Sequence, residues 1–250
     1  MNERDVVAQQ IVSRIAEENY PKTSAGITHQ ESGFRKLVPA LLQKGVENVD
    51  LSMFSEELRA TVLNILGDEY LRRGNLHGAA KSYILAGNRL RLTSVGLDFE
   101  KIGLFDNAIE AFKMGGDDKN LVRLGTKCME DGRFANSTKA FRAVNSPELL
   151  RKLGQECMDK GKLDYAFEIF TALSDNEKLN ALGTRCFDEG QYGYAMKAFQ
   201  MTQNYERLNQ VGEACMRNGL LRAALESYTL ANNSMMVEFI RENFKQAVVM

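Results

Sequence analysis

Apolar residues in this chain recur on two periods at once. Over short stretches they fall three and four residues apart, the spacing of one helix face, and the whole pattern then returns after 29 residues. The stretch from Ser146 shows the unit. Leu150, Leu153, Gly154 and Cys157 share one face at about 100° per residue. Gly161 interrupts the pattern, and Ala166 and Phe170 resume it four residues apart. Six copies follow without a gap, marked by Gly67, Gly96, Gly125, Gly154, Gly183 and Gly212, each followed seven residues later by a second glycine: Gly74, Gly103, Gly132, Gly161, Gly190 and Gly219. Each copy predicts two helices, a helix A over 147–160 and a helix B over 163–173 in the fourth. The second glycine sits where helix A must stop in a left-handed turn.

The boundaries carry their own signals. Twenty-one residues after each first glycine stand Asn88, Asp117, Ser146, Asp175, Asn204 and Asn233, all residue types that cap a helix by accepting a bond from an orphan N–H of its first turn. Pro147 follows Ser146 at the first helical position, where a missing N–H is harmless. Twelve residues after the glycine comes a small residue (Ala79, Ala108, Ser137, Ala166, Ala195, Ala224) and four later an aromatic one (Tyr83, Phe112, Phe141, Phe170, Phe199, Tyr228). The small residue lets two helices approach, and the aromatic fills the space one turn on. Repeats of this length imply a stacked array whose units contact only their neighbours. The fold class expected is all-α, a right-handed α-solenoid of helix-turn-helix repeats.

The ends are less regular. Val7, Ile11 and Ile15, with Val6 and Val12 beside them, predict an amphipathic helix over 5–19, closed by Tyr20-Pro21 and followed by a loop over 22–33. It reads either as a cap on the array or as a docking helix. Residues 34–54 form a decayed leading repeat, in which Val38 and Gly45 fall one period before Gly67 and Gly74, and Asp50 and Phe54 take the small and aromatic places. The organisation expected is therefore an N-terminal segment over 1–33 and an array over 34–250, with six regular repeats at about 59–232 and a capping helix over 233–250. In that last helix Val237, Ile240 and Phe244 hold helix A positions and Arg241 replaces the glycine.

The repeat pattern, for example Leu182, Gly183, Cys186, Ala195 and Phe199, resembles the tetratricopeptide repeat superfamily over about 67–232. That family repeats at about 34 residues, so the shorter unit here departs from it. The resemblance implies a groove lined by helix A side chains six and three residues before each first glycine and one, four and five after it. At plus four stand Leu71, Glu100, Met129, Met158, Phe187 and Met216, and at plus five Glu130, Asp159, Asp188 and Arg217 in repeats three to six. Met129, Met158, Phe187 and Met216, edged by Glu130, Asp159 and Asp188, make a candidate groove for an amphipathic or basic peptide or helix. The plus-four position also borders the buried face, so a packing role is the competing reading. Relatives in that family that hold a C-terminal carboxylate use a basic residue at minus three and an asparagine at plus one. The pairs here, from Asn64/Asp68 and Arg151/Gln155 to Asn209/Glu213, do not imply that activity.

Composition narrows the function classes. The 32 basic and 33 acidic side chains leave a net charge of −1, without the bulk charge that nucleic acid or an anionic membrane would require. No apolar run approaches the roughly 20 residues of a membrane span, and the first residues lack the form of a secretory signal. The cytosol is the expected location, with no membrane insertion. Cys128, Cys157, Cys186 and Cys215 all occupy one helix A position, and their spacing matches no zinc motif. Reduced core thiols are expected. His29 and His77, the latter placed in the turn between the first two repeat helices, are the only histidines, and no phosphate-binding glycine motif is present. No catalytic, cofactor or metal site is expected. The function expected is a non-enzymatic protein interaction scaffold or adaptor. The alternatives are an assembly segment of a larger complex, with dimerisation through the N-terminal helix or the terminal repeats, and, less favoured, an RNA-binding repeat.

Overall fold

The computed structural model describes residues 38–244, apart from Val49 and Met53. The helix expected over 5–19 and the loop over 22–33 lie outside the described residues. Among the described residues all regular structure is helical. Residues 38–44 are helical and a 3-10 turn covers Val46–Asn48. Thirteen α-helices follow: α1 Glu56–Arg72, α2 Leu76–Leu85, α3 Arg89–Lys101, α4 Phe105–Gly115, α5 Asp118–Glu130, α6 Phe134–Ala143, α7 Pro147–Asp159, α8 Leu163–Ala172, α9 Asn176–Asp188, α10 Tyr192–Met201, α11 Tyr205–Arg217, α12 Leu221–Leu230 and α13 Ser234–Asn243. Odd numbers are A helices and even numbers B helices. His77 stands in the first turn of α2 rather than in the connection before it.

The chain forms two compact units, one through Asp131 and one from Gly132. In the first, α1 pairs with α2 and α3 with α4, and each B helix then packs on the next A helix, α2 on α3 and α4 on α5. In the second, α7 pairs with α8, α9 with α10 and α11 with α12. The B helices α6, α8, α10 and α12 also pack side by side, and α13 covers α12. Contacts thus run between elements adjacent or next-adjacent in sequence, which makes each unit a stacked helical repeat.

In five of the repeats the glycine and the aromatic form one packing device. An ideal Cβ built at Gly67, Gly96, Gly154, Gly183 or Gly212 would lie 2.6–2.8 Å from the ring of Tyr83, Phe112, Phe170, Phe199 or Tyr228. The ring occupies the space a side chain at the glycine would need, which brings helices A and B close together. Around it Leu153, Cys157, Ala166 and Phe170 in the fourth repeat are fully buried. The four cysteines are free and buried. Burial pushes the thiols of Cys157 and Cys186 up to about 11.

Double-duty boundary residues explain how 29 residues suffice. Asn88, Asp175, Asn204 and Asn233 each donate their backbone N–H to the carbonyl of the aromatic at the end of the preceding helix B, at 2.8–3.0 Å. Each then accepts, on its side-chain oxygen, the N–H three residues into the next helix A. Asp117 and Ser146 cap in the same way. One residue therefore closes a Schellman turn and opens a helix, and no loop residue intervenes. The turn requires a positive φ at the residue before it. Gly87 and Gly116 supply that, but so do Asn145, Ser174, Gln203 and Asn232, at 52–58°.

The leading repeat keeps its first half only. The stretch over 38–44 ends at Gly45 with φ +76°, yet Asp50, Leu51, Ser52 and Phe54 are not helical. The side chain of Asp50 accepts the N–H of Ser52 at 2.9 Å, a local turn that competes with helix formation. Phe54 nonetheless packs with Leu51, Val62 and Leu63. At the other end α13 stops at Asn243, before the end of the capping helix expected over 233–250. Ile240 is buried and Phe244 follows the helix.

Candidate functional site

The groove positions on the A helices serve three different purposes. At minus three, in four of the repeats, they bind the cap of the next repeat. Nδ2 of Asn88 donates to Oδ1 of Asn64 at 2.8 Å, Asn204 to Asn180 at 3.0 Å and Asn233 to Asn209 at 2.7 Å, while Nε of Arg151 donates to Oδ2 of Asp175 at 2.9 Å. Asparagine meets asparagine and arginine meets aspartate, so each cap side chain is held on both sides. The plus-one position is also drawn inward. Asp68 accepts the hydroxyl of Tyr83 at 2.6 Å, and Gln155 bridges Lys178 and Asp159 at 3.1 Å each. Both positions that would clamp a carboxylate are thereby occupied in repeats one and four, the plus-one residue by Tyr83 or Lys178.

The plus-four column changes character along the chain. In the first unit Leu71 and Met129 are buried, at 2% and 7% exposure. The Glu100 side chain between them in sequence pairs with Arg123 and, at 3.2 Å, with Lys127 of the next A helix. The hydrogen bond from Arg123 leads the effects that hold the Glu100 carboxyl below the usual carboxylate range. Nearby Asp98, 4% exposed, is pushed up by burial despite its 3.0 Å bond from Lys101. In the second unit Met158, Phe187 and Met216 are half-buried, at one register on α7, α9 and α11. The ring of Phe187 stands 6.1 Å from that of Tyr192, whose hydroxyl accepts from Asn218 at 2.9 Å.

Exposed carboxylates stand at two further registers of these A helices, both to one angular side of the trio. Asp159 and Asp188 follow it at plus five, and Glu148, Glu177 and Glu206 stand at minus six. The minus-six glutamates lie in the first turns of α7, α9 and α11, where the helix dipole favours negative charge. Asp159 is partly engaged, 3.7 Å from Arg185, which also donates to the Met158 carbonyl at 2.8 Å and to Glu189 at 2.8 Å. The predicted set therefore divides. Met158, Phe187, Met216, Asp159 and Asp188 share the A face of the second unit, whereas the buried Met129 and the exposed Glu130 belong to the first. The minus-six glutamates were readable as a 29-residue column in the sequence.

Among the described residues no group of three or more His, Cys, Asp and Glu side chains comes together to hold a metal ion, and no helix is long and apolar enough to cross a membrane. Comparison with known protein families and with characterised proteins finds no match to this sequence.

Proposed function

We propose that the protein is a non-enzymatic interaction scaffold that binds a basic amphipathic peptide or helix along the A face of its second unit, in the manner of tetratricopeptide-like repeats. One observation carries the reading. Met158, Phe187 and Met216 repeat on three successive A helices, half-open to solvent, with exposed glutamates at minus six on all three helices and exposed aspartates at plus five on two of them, Arg217 standing there on the third. An amphipathic helix lays its apolar stripe along such a trio, and the flexible thioethers of Met158 and Met216 adapt to more than one partner shape. The acidic rows raise the encounter rate for a basic ligand more than they tighten the complex. The test is fluorescence anisotropy with a labelled Leu/Lys amphipathic helix and its Leu/Glu counterpart. The basic probe is expected to bind and the acidic one not, with Met158→Ser/Phe187→Ser weakening binding at least tenfold while helicity is retained. Equal binding of both probes, or an unaffected double variant, would overturn the reading.

A second reading, an assembly segment of a larger complex, is supported by α13. Met235 and Phe239 on its surface are 71% and 46% exposed, unusual for apolar side chains on a closing helix. Met235→Ser/Phe239→Ser would then release a co-purifying partner that the A-face variant retains.

A further inference from the structure

The B helices carry a charge pattern of their own. Fourteen residues after each first glycine stand Lys81, Glu110, Lys139, Glu168, Lys197 and Glu226, a strict alternation of sign at the 29-residue period. In the second unit four of these fall on α6, α8, α10 and α12, which pack side by side, and all four are exposed. Between the charges the same face is studded with small exposed residues, Ala135, Ala172 and Gly193 among them, and with Tyr165, 36% exposed.

We infer that this B face pairs with the B face of a second copy of the chain, antiparallel and about a two-fold axis. The order Lys-Glu-Lys-Glu becomes Glu-Lys-Glu-Lys when reversed. An antiparallel copy therefore places Lys139 opposite Glu226, Glu168 opposite Lys197, and the reciprocal pairs beyond the axis. That is the self-complementarity an isologous interface demands. A parallel copy in the same register would set like charges against each other along the whole row. The small residues let the two surfaces approach, and Tyr165 supplies an amphipathic side chain of the type enriched in interfaces. Each charge also shares its register with an opposite charge on the neighbouring B helix, Arg142 donates to Glu168 at 2.9 Å, and Lys197 Nζ stands 5.7 Å from the centre of the Tyr194 ring. Local attraction and self-pairing are thus two readings of one ladder, separable by substitution. Because the charges are exposed, the association is salt-sensitive.

The experiment is sedimentation of the full chain at low and high salt, with circular dichroism melting as a check on folding. Wild type should show a monomer–dimer equilibrium that shifts at least tenfold towards monomer between about 20 mM and 500 mM salt. Lys139→Glu/Lys197→Glu, an all-acidic row, and Glu168→Lys/Glu226→Lys, an all-basic row, should each be monomeric, and an equimolar mixture of the two should dimerise. The fourfold inversion, Lys139→Glu/Glu168→Lys/Lys197→Glu/Glu226→Lys, keeps the alternation within the chain and should dimerise like wild type. A monomeric wild type at low salt, a dimeric all-acidic variant, a mixture that stays monomeric, or open-ended growth beyond the dimer would each overturn the inference.

Discussion

Gly154 and Gly193 show how differently one residue type is used. A Cβ at Gly154 would meet the Phe170 ring at 2.6 Å, whereas at Gly193, also helical, nothing lies within 4 Å. Gly154→Ala should cost about 1–3 kcal/mol by overpacking, and Gly193→Ala should be neutral or stabilise by up to about 1 kcal/mol. Urea unfolding midpoints report both. Ser174 and Gln203 hold φ of 52° and 53°, where a side chain costs roughly 1 kcal/mol relative to glycine. Ser174→Gly and Gln203→Gly should therefore each raise the melting temperature. Two carboxyls on α3 respond to pH in opposite senses. Glu100, held low, stabilises the fold above the ordinary carboxylate range and loses that contribution as pH falls through its folded value; Glu100→Gln should thus be destabilising at pH 7 and nearly silent in acid. Asp98, pushed up by burial, favours the fold while protonated and loses that as pH rises through its folded value. Asp98→Asn should be stabilising at pH 7, with the gain fading on acidification. The glycine register was legible from the sequence, since only glycine recurs at such a contact. The left-handed Ser174 and Gln203 were not, because neither type announces a positive φ and the demand comes from the turn that the following cap closes.

Among the elements, the link between successive A helices is a polar clasp rather than apolar packing alone. Asn204 caps α11 through Oδ1 and grips Asn180 of α9 through Nδ2. Asn204→Ala is expected to cost about 1–2 kcal/mol, the range for losing a cap. Asn204→Ser, which can cap but cannot reach as an amide, should recover most of it. A double-mutant cycle with Asn180→Ala should show coupling that Asn204→Ser abolishes. The six caps were predictable from residue type and spacing. Their partners were not, because the family resemblance implies a groove at minus three and the sequence gives no sign that the neighbouring cap consumes it. Helix ends were readable to within about a residue in the regular repeats, where Asp159 and Ala172 close α7 and α8. The leading repeat failed at Asp50, whose local turn outweighs a periodic pattern that Phe54 still obeys in its packing.

At the level of the molecule, the repeat arithmetic read from the sequence holds through α13, but the division of the plus-four column does not follow from it. Met129 and Met158 occupy one register, yet one is buried and the other half-open, a difference set by the surroundings of each helix and not by residue type. Contacts confined to neighbouring helices also mean that each repeat can open on its own terms.

The cysteine column makes that last property measurable. Cys128, Cys157, Cys186 and Cys215 are one chemical group at one depth, each at 0% exposure, so none reacts until the packing around it opens. Under conditions where reclosing outpaces alkylation, the rate at each thiol, resolved by mass spectrometry of the digested protein, reports the free energy of opening at that position. Four identical clocks are thus wired into consecutive repeats. With α13 covering α12, the Cys215 clock is expected to quicken when Ile240→Ala loosens that cover, while the Cys157 clock keeps its rate. Equal acceleration at both would show the second unit opening as a single block.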